Sequence, residues 1–559
     1  MRLFLAGAAL CCLFASRPAQ SQVVIVPETP QIGSANPVTA DPPVARPHRK
    51  PCVVDLFQNL EFADFSNKIF SFTPPSHCPG PWSKVVFTAD FTVTAGRQFD
   101  RTAAFYLGHA NIYYGTTAEP SALVSPSWHI ERDVTDLSAI FKLPQTGEAD
   151  LGNFVGVSGG VNYTGIIYAN AALEFYPASP FERESAVPDV VVPLPDADGG
   201  AATLSTTASQ LSQSVTLPVN TERVYLDVIA QSQSGDEFWY TCVPNDVTGT
   251  LESCGNTAFR ETEVSIDNQP AGVAPVYPWI YTGGIDPYLW RPVPGVQTLD
   301  FKPYRVDLTP FAGLLADGKP HTVAISVYNA NSYFLATANL LVYIDKHAAK
   351  VTGAILLNTL TAAPEPVSFE DLTTDSSGNV TGTIGINSDR SYEISGYLNT
   401  SHGRIKTTVE AKLGFNNTQA FIINETEYFQ GISQATTVDS KTTVSDGWVA
   451  QTTKDHFSYP FYLNYKQIEN ADGSFNVTTE ADQNYIFHQT QFRNGFEVYH
   501  SKTSNNVKAA DTLVFNASGA LTSHTDQSAS QTYSTQDSTG KSYNRTIFAD
   551  GGVLTGVTH

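Results

Sequence analysis

The densest group of residues able to do chemistry lies between positions 236 and 292. Asp236-Glu237-Phe-Trp239-Tyr240 sets two carboxylates beside two large rings, and Trp279 and Tyr281 follow. Next comes Gly283-Gly-Ile-Asp286-Pro-Tyr288-Leu-Trp290-Arg291-Pro. Sugar recognition needs flat apolar faces with a few polar groups to fix orientation. Hydrolysis needs one group to take a proton and another to give it, a division that two carboxyls in different environments can make. Half of the six tryptophans fall within residues 239–290. Any one of these rings alone is as well explained by a sandwich core. The Gly-Gly and proline-bounded loops that carry them favour exposure and binding.

Other chemistries lack their motifs. The chain has no H-E-x-x-H, no P-loop, no Gly-x-Gly-x-x-Gly between strand and helix, and no C-x-x-C. One G-x-S-x-G exists, Gly156-Val-Ser158-Gly-Gly160, but no helical pattern follows it, so it reads as a β-turn rather than a nucleophile elbow. Asp196, Asp198 and Gly199 mimic part of a calcium loop without the downstream Glu, and read as linker.

The elements that must position these groups are strands. Val85, Phe87, Ala89, Phe91 and Val93 alternate with other residues, as do Val323, Ile325 and Val327, and Val409, Ala411, Leu413 and Phe415. Period two with Gly and Pro turns predicts antiparallel sheets in sandwiches. An internal echo predicts two related sandwiches: Glu131–Phe141 and Tyr304–Leu315 each read as a strand, then Asp-(Val/Leu)-Thr, then a helical turn or two. In the second copy Thr309 fits an N-cap, Pro310 the first turn and Gly318 the C-terminus. A second pair is Phe99-Asp100-Arg101 and Phe259-Arg260-Glu261.

The expected order is a signal peptide over 1–21, a Pro-rich linker over 22–50, a first β-sandwich over 51–178 and a linker over 179–199. A second β-sandwich over 200–347 and a C-terminal antiparallel β domain over 348–559 complete it. The last region is rich in Thr, Asn, Gln and Ser, which predicts a sheet with one solvated face.

The 559 residues carry a net charge of −22, which disfavours nucleic acid and anionic membrane as partners. Arg2 followed by an apolar run from Leu3 to Ala15 reads as a secretory leader, and the mature protein is expected to be secreted and extracellular. Cys11 and Cys12 would leave with it. Of three possible pairings for the other four cysteines, Cys52–Cys78 and Cys242–Cys254 are favoured because each closes a local loop. Eight N-x-[ST] sequons, at Asn162 and at seven positions beyond residue 370, predict surface positions able to carry glycans.

Four stretches together resemble one known family. They are Gly96-Arg-Gln-Phe-Asp100-Arg101, Thr117-Ala-Glu119-Pro120, Asp236-Glu237-Phe-Trp-Tyr240 and Pro278 through Pro292. The chain looks like a peptide:N-glycosidase A, from about residue 53 to 345 and more weakly to the C-terminus. The resemblance implies cleavage of the amide between the first N-acetylglucosamine and the asparagine side chain. The peptide would keep aspartate, a glycosylamine would leave, and no metal or cofactor would be needed. A more distant likeness to bacterial peptide:N-glycosidase F implies two jelly-roll-like β-sandwiches with the active site at their junction. Phe99-Asp100-Arg101 is similar to its Trp-Asp-Arg motif, and Arg291 to its arginine in a Pro-rich loop. The implied catalytic residues are Asp100 with Glu237 or Glu261, of which Glu237 is preferred for its aromatic loop. The implied substrate-binding residues are Arg101 and Arg291; Trp239 and Trp290 are expected to stack on the sugar rings if their two segments face one cleft.

The expected activity is therefore an amidase acting on N-glycopeptides or glycoproteins. Two alternatives share these features: a non-catalytic glycan-binding protein, and a glycoside hydrolase cutting within the glycan.

Overall fold

The computed structural model describes residues 30–179 and 186–559. The leader, the start of the Pro-rich segment and part of the second linker lie outside these residues. The described chain is nearly all antiparallel β-structure.

The first sandwich faces two four-stranded sheets. One runs Cys52–Phe62, Ile167–Pro177, Trp82–Val93, Ser127–Asp133; the other runs Lys68–Phe72, Gln145–Asp150, Thr102–Leu107, Ala110–Thr116. Both sheets supply one core, in which Phe87, Phe91, Phe105, Tyr113 and Trp128 are buried. Val85, Phe87, Ala89, Phe91 and Val93 all lie in it, as their alternation predicted.

The second sandwich pairs Val190–Leu194, Tyr333–Ile344, Thr221–Gln233 and Tyr304–Asp307 in one sheet, with Ala202–Leu204 also on Tyr333–Ile344. The facing sheet runs Leu211–Val215, His321–Tyr328, Glu261–Ile266, Gln269–Pro275. Part of the segment read as linker, Val190–Leu194, is thus an edge strand of this sandwich. The disulfides Cys52–Cys78 and Cys242–Cys254 form as favoured.

The echoed segments behave alike. Ser127–Asp133 is followed by 3-10 turns at Thr135–Leu137 and Ile140–Lys142, and Tyr304–Asp307 by Thr309–Phe311 and the short helix Ala312–Leu315. The cap differs from expectation. Thr309 sits inside the turn, and Asp307 accepts its N–H at 2.9 Å, as Asp133 accepts that of Thr135 at 3.0 Å. Gly156–Ser158 and Val161–Tyr163 form a hairpin whose turn is Gly159-Gly160, both at positive φ, so the G-x-S-x-G is indeed a turn.

The C-terminal region is an eleven-stranded sheet that mostly meanders, from Thr352–Asn358 to Val553–Thr558. Val380–Thr400 and Gly403–Ile423 have 21 residues each, roughly 70 Å at ~3.3 Å per residue. Its Leu398, Leu413, Phe415, Phe461 and Leu463 join the core of the second sandwich. The expectation of a sheet is met. Its polar residues are not all on a solvated face: Asn417, Gln419, Gln434, Gln483, Gln527 and Gln531 are buried.

Residues 30–50 form no strand but strap the parts together. Gly33 N–H bonds Leu554 O and Leu554 N–H bonds Ser34 O, while Val38 N–H reaches Pro292 O. Further along, Arg46 pairs with Glu131 and Glu174. Among the described residues no helix is long and apolar enough to cross a membrane.

Candidate active site

Four segments meet where the two sandwiches join. Asp100 and Arg101 precede the strand Thr102–Leu107, and Glu119 follows its hairpin partner Ala110–Thr116. Thr117 ties the two ends: its Oγ1 accepts Arg101 N–H at 2.9 Å and its N–H donates to Arg101 O at 2.8 Å. From the second sandwich, Glu237 follows the 3-10 turn Ser234–Asp236 at the end of Thr221–Gln233. The long loop after Gln269–Pro275 brings Gly283 and Arg291. Gln233 Nε2 donates to Thr102 Oγ1 at 2.9 Å, and Thr282 Oγ1 to Thr117 O at 2.7 Å, so the sandwiches are stitched at the site itself.

Gly283 is the centre of this arrangement. Its N–H donates to Asp100 Oδ2 at 2.9 Å. A Cβ here would collide with Glu119 Oε2 and lie 3.0 Å from Asp100 Oδ1, so only glycine lets both carboxyls close in. Asp100 N–H also points to Glu119 Oε2 at 3.4 Å. Arg291 Nε donates to Glu119 O at 2.9 Å, and its guanidinium lies 4.6 Å over the Tyr288 ring.

Asp100 and Glu119 therefore share one small volume, and Glu237 lies near enough to feel the charge of both. Burial pushes the Glu119 carboxyl up to about 7, helped by the Asp100 charge and opposed by Arg291 and Arg97. Burial, then the Asp100 and Glu119 charges, push Glu237 up to about 7. Asp100 is also raised, chiefly by burial, against the Gly283 N–H and the Arg101 charge. Arg101 favours the Asp100 carboxylate, but burial outweighs it.

Glu237 owes its position to its neighbour. Asp236 is fully buried: its Oδ1 takes Arg260 Nη2 at 2.8 Å and Nε at 3.1 Å, and its Oδ2 takes the N–H groups of Asn331 and Ser332. That network pins the turn from which Glu237 emerges.

Asp100, Arg101, Glu237 and Arg291 are thus brought together. Glu261 is not part of the cluster: it is buried on its strand and paired with Arg390 of the C-terminal sheet, which also holds Glu263 at 2.8 Å. Trp239 and Trp290, expected to stack on sugar, are 1% and 3% exposed. Trp239 packs on Tyr240 and Phe415, and Trp290 Nε1 donates to Gly284 O at 2.9 Å. For Trp239 the cause is the C-terminal sheet, whose Phe415 packs on it as Phe461 packs on Tyr240. The partly exposed rings beside the charged groups are Phe99, Tyr163, Phe238 and Tyr288. Glu119 was quoted within a motif but given no role. Its signal appears only in three dimensions, as a second carboxyl on Gly283.

As for metals, Glu222, Asp345 and His402 bring ligand atoms within 4.8 Å of one another. The Asp345 oxygens already accept N–H or O–H groups from Ser401 and His347, so this group reads as a loop junction.

The family model described as peptide N-acetyl-beta-D-glucosaminyl asparaginase amidase A matches residues 42–360, more than half of the chain. A curated relative, peptide-N4-(N-acetyl-beta-glucosaminyl)asparagine amidase A of Prunus dulcis, is 29% identical over 472 residues, covering 79% of each chain. Among solved structures, PNGF-II is similar with a TM-score of 0.37 at 12% identity, over 54% of this chain and 66% of that one. PNGase F, a glycosylasparaginase from Flavobacterium meningosepticum, is similar with a TM-score of 0.36 at 13% identity, over 53% and 96%. The chain belongs to the peptide N-acetyl-beta-D-glucosaminyl asparaginase amidase A family.

Proposed function

We propose that this protein hydrolyses the amide joining the innermost N-acetylglucosamine of an N-glycan to asparagine. The observation that carries this reading is the pair Asp100 and Glu119 closing on Gly283, with Glu237 near enough to feel the charge of both. An amide needs an activated water and a protonated leaving nitrogen. Carboxyls in different surroundings can divide these roles, one as base and one as acid.

Asp100 is the base. It takes a proton from water as the oxygen attacks the side-chain carbonyl carbon of the glycosylated asparagine. Glu237, protonated below about pH 7, gives its proton to the amide nitrogen as the C–N bond breaks. The products are aspartate in the peptide and the glycan as a glycosylamine; the proton on Asp100 then restores Glu237 through solvent. Glu119 is the second carboxyl on Gly283, and the interaction among the three acids opposes their ionising together. Arg101 and Arg291 supply cations for the sugar and for the developing oxyanion. The rings available for sugar contact are Phe99, Tyr163, Phe238 and Tyr288, in place of the two buried tryptophans.

The leader, the two disulfides and eight sequons, none of them at a buried asparagine, support secretion as a glycoprotein acting outside the cell. Mass spectrometry of a treated glycopeptide tests the activity. Conversion of Asn to Asp, a gain of about one mass unit by the chemistry of amide hydrolysis, is expected. A peptide keeping one sugar on intact Asn would mark a glycoside hydrolase instead, and an untouched glycopeptide a binding protein.

A further inference from the structure

The eleven-stranded sheet lies, except for Thr352–Asn358, beyond the residues matched by the family model. It nevertheless reaches the backbone of both loops that build the site, through buried amides. Asn417 Nδ2 donates to Tyr240 O at 3.0 Å and Gln430 Nε2 to Thr241 O at 2.9 Å, just beyond Glu237. Gln483 donates to Pro278 O at 2.7 Å and accepts Val296 N–H at 2.7 Å, joining the two ends of the loop that carries Gly283 and Arg291.

The most specific contact is at Arg291. Gln527 Nε2 donates to Arg291 O at 2.8 Å, while its Oε1 accepts Gly552 N–H and its backbone O accepts Gly551 N–H. The side chain is thus held at both ends. The strand is shaped for the contact. Ala510 pairs with Ser528 but Thr512 pairs with Thr525, so two residues, Asp526 and Gln527, stand opposite Asp511 alone. Asp526 has φ 59°. This is a β-bulge, a device that re-aims a side chain and leaves its neighbours in register. The same strand brings the His524 ring to 4.5 Å from Tyr288, the ring beneath the Arg291 guanidinium.

We propose that Gln527 is a positioning residue for the amidase reaction: from the bulge it fixes Arg291 against Glu119, so the C-terminal sheet is a working part of the active site. This rests on the amidase reading. A misplacement of about 1 Å in a positioned group can cost about 100-fold in rate. A buried amide with a purely structural duty would cost stability alone.

Gln531 supplies the internal control. It lies on the same strand and is also buried, but it serves the strap, accepting Ala40 N–H and donating to Asp41. Gln527→Leu and Gln531→Leu are compared in the full-length protein with a glycopeptide, following turnover, KM and Tm. The expected result is similar losses in Tm, with turnover lowered roughly 10- to 100-fold only in Gln527→Leu. In an Arg291→Ala background, Gln527→Leu should lower turnover no further. Equal turnover in the two Leu variants, or an undiminished Gln527 effect without Arg291, overturns the proposal. Should Gln527→Leu not fold, Gln527→Glu keeps the volume and the acceptor for Gly552, removes the donor to Arg291, and is read by the same outcomes. A wild-type protein that leaves the Asn unconverted would instead refute the amidase reading.

Discussion

Two acidic networks lie close together in the second sandwich and at its junction with the first, and they differ in what their carboxylates touch. In one, Asp236 meets Arg260 and two backbone N–H groups, while Glu261 and Glu263 share Arg390. Each buried acid there touches an arginine, though Glu261 and Glu263 share one and burial still raises both. In the other, Asp100, Glu119 and Glu237 crowd together, and the arginines near them do not offset burial. Glu237 is one residue from Asp236 and belongs to the other network. Completed pairs hold the fold, and the strained cluster is where proton transfer can occur. The first network builds the second, because Asp236 anchors the turn that presents Glu237.

The comparison breaks most readily at Asp100. Asp100→Asn is expected to remove nearly all turnover, at least about 100-fold, with Tm unchanged. A variant keeping a tenth of wild-type turnover would take Asp100 out of the mechanism. Asp236→Asn is its counterpart in stability: it strands Arg260 in the interior, a loss of roughly 3–5 kcal/mol that denaturant titration would read.

Next comes Glu237→Gln, expected to lower turnover about 100-fold. Glu261→Gln should leave turnover within about twofold and lower Tm, because it disturbs only the Arg390 pair. The reverse ranking in parallel kinetics would exchange the roles of the two networks.

The pH dependence is a gentler test. With Glu119 and Glu237 held near 7, activity should fall above pH 7 by about tenfold per unit as the donor ionises, and the optimum should lie below pH 6.5. An optimum above pH 8 would contradict the assignment. Stability carries the same sign. A carboxyl raised from 4.5 to about 7 by folding favours the native state below pH 4.5, and that contribution is lost as pH rises through about 7. The Tm advantage of wild type over Glu119→Gln/Glu237→Gln should therefore shrink across this window.

The smallest expected effect on substrate binding is at Trp290. Its indole is buried, so Trp290→Ala should cost stability, roughly 3–5 kcal/mol. KM at a temperature where the variant stays folded should hardly change. A large rise in KM with normal stability would return this ring to the sugar.

Much of the scaffold was legible in the residues. Alternation located core faces such as Val85–Val93, local spacing picked both disulfides, and the echoed Asp-(Val/Leu)-Thr marked both strand-to-turn exits. Asp100 and Arg291 were legible through long motifs. Glu119 was not, because its surroundings depend on Gly283, which is distant in sequence. The burial of Trp239 is illegible for a related reason: the sheet that packs on it is built from residues beyond 350, whose Gln and Asn suggest a solvated face. Amide side chains suit a buried face only when backbone groups wait opposite, and no local pattern tells where those will be.

The strap over residues 33–46 has a topological consequence. It precedes the first sandwich in the chain, yet it clasps Leu554 near the other end and Pro292 in the active-site loop. The molecule is in effect a closed ring, with its beginning fastened to its finish. A protease that severed one peptide bond between the sandwiches would open the ring without releasing either arc. Such a nicked protein would migrate as one species in a native gel, separate into two chains only in denaturant, and keep Asp100 and Glu119 beside Gly283 meanwhile.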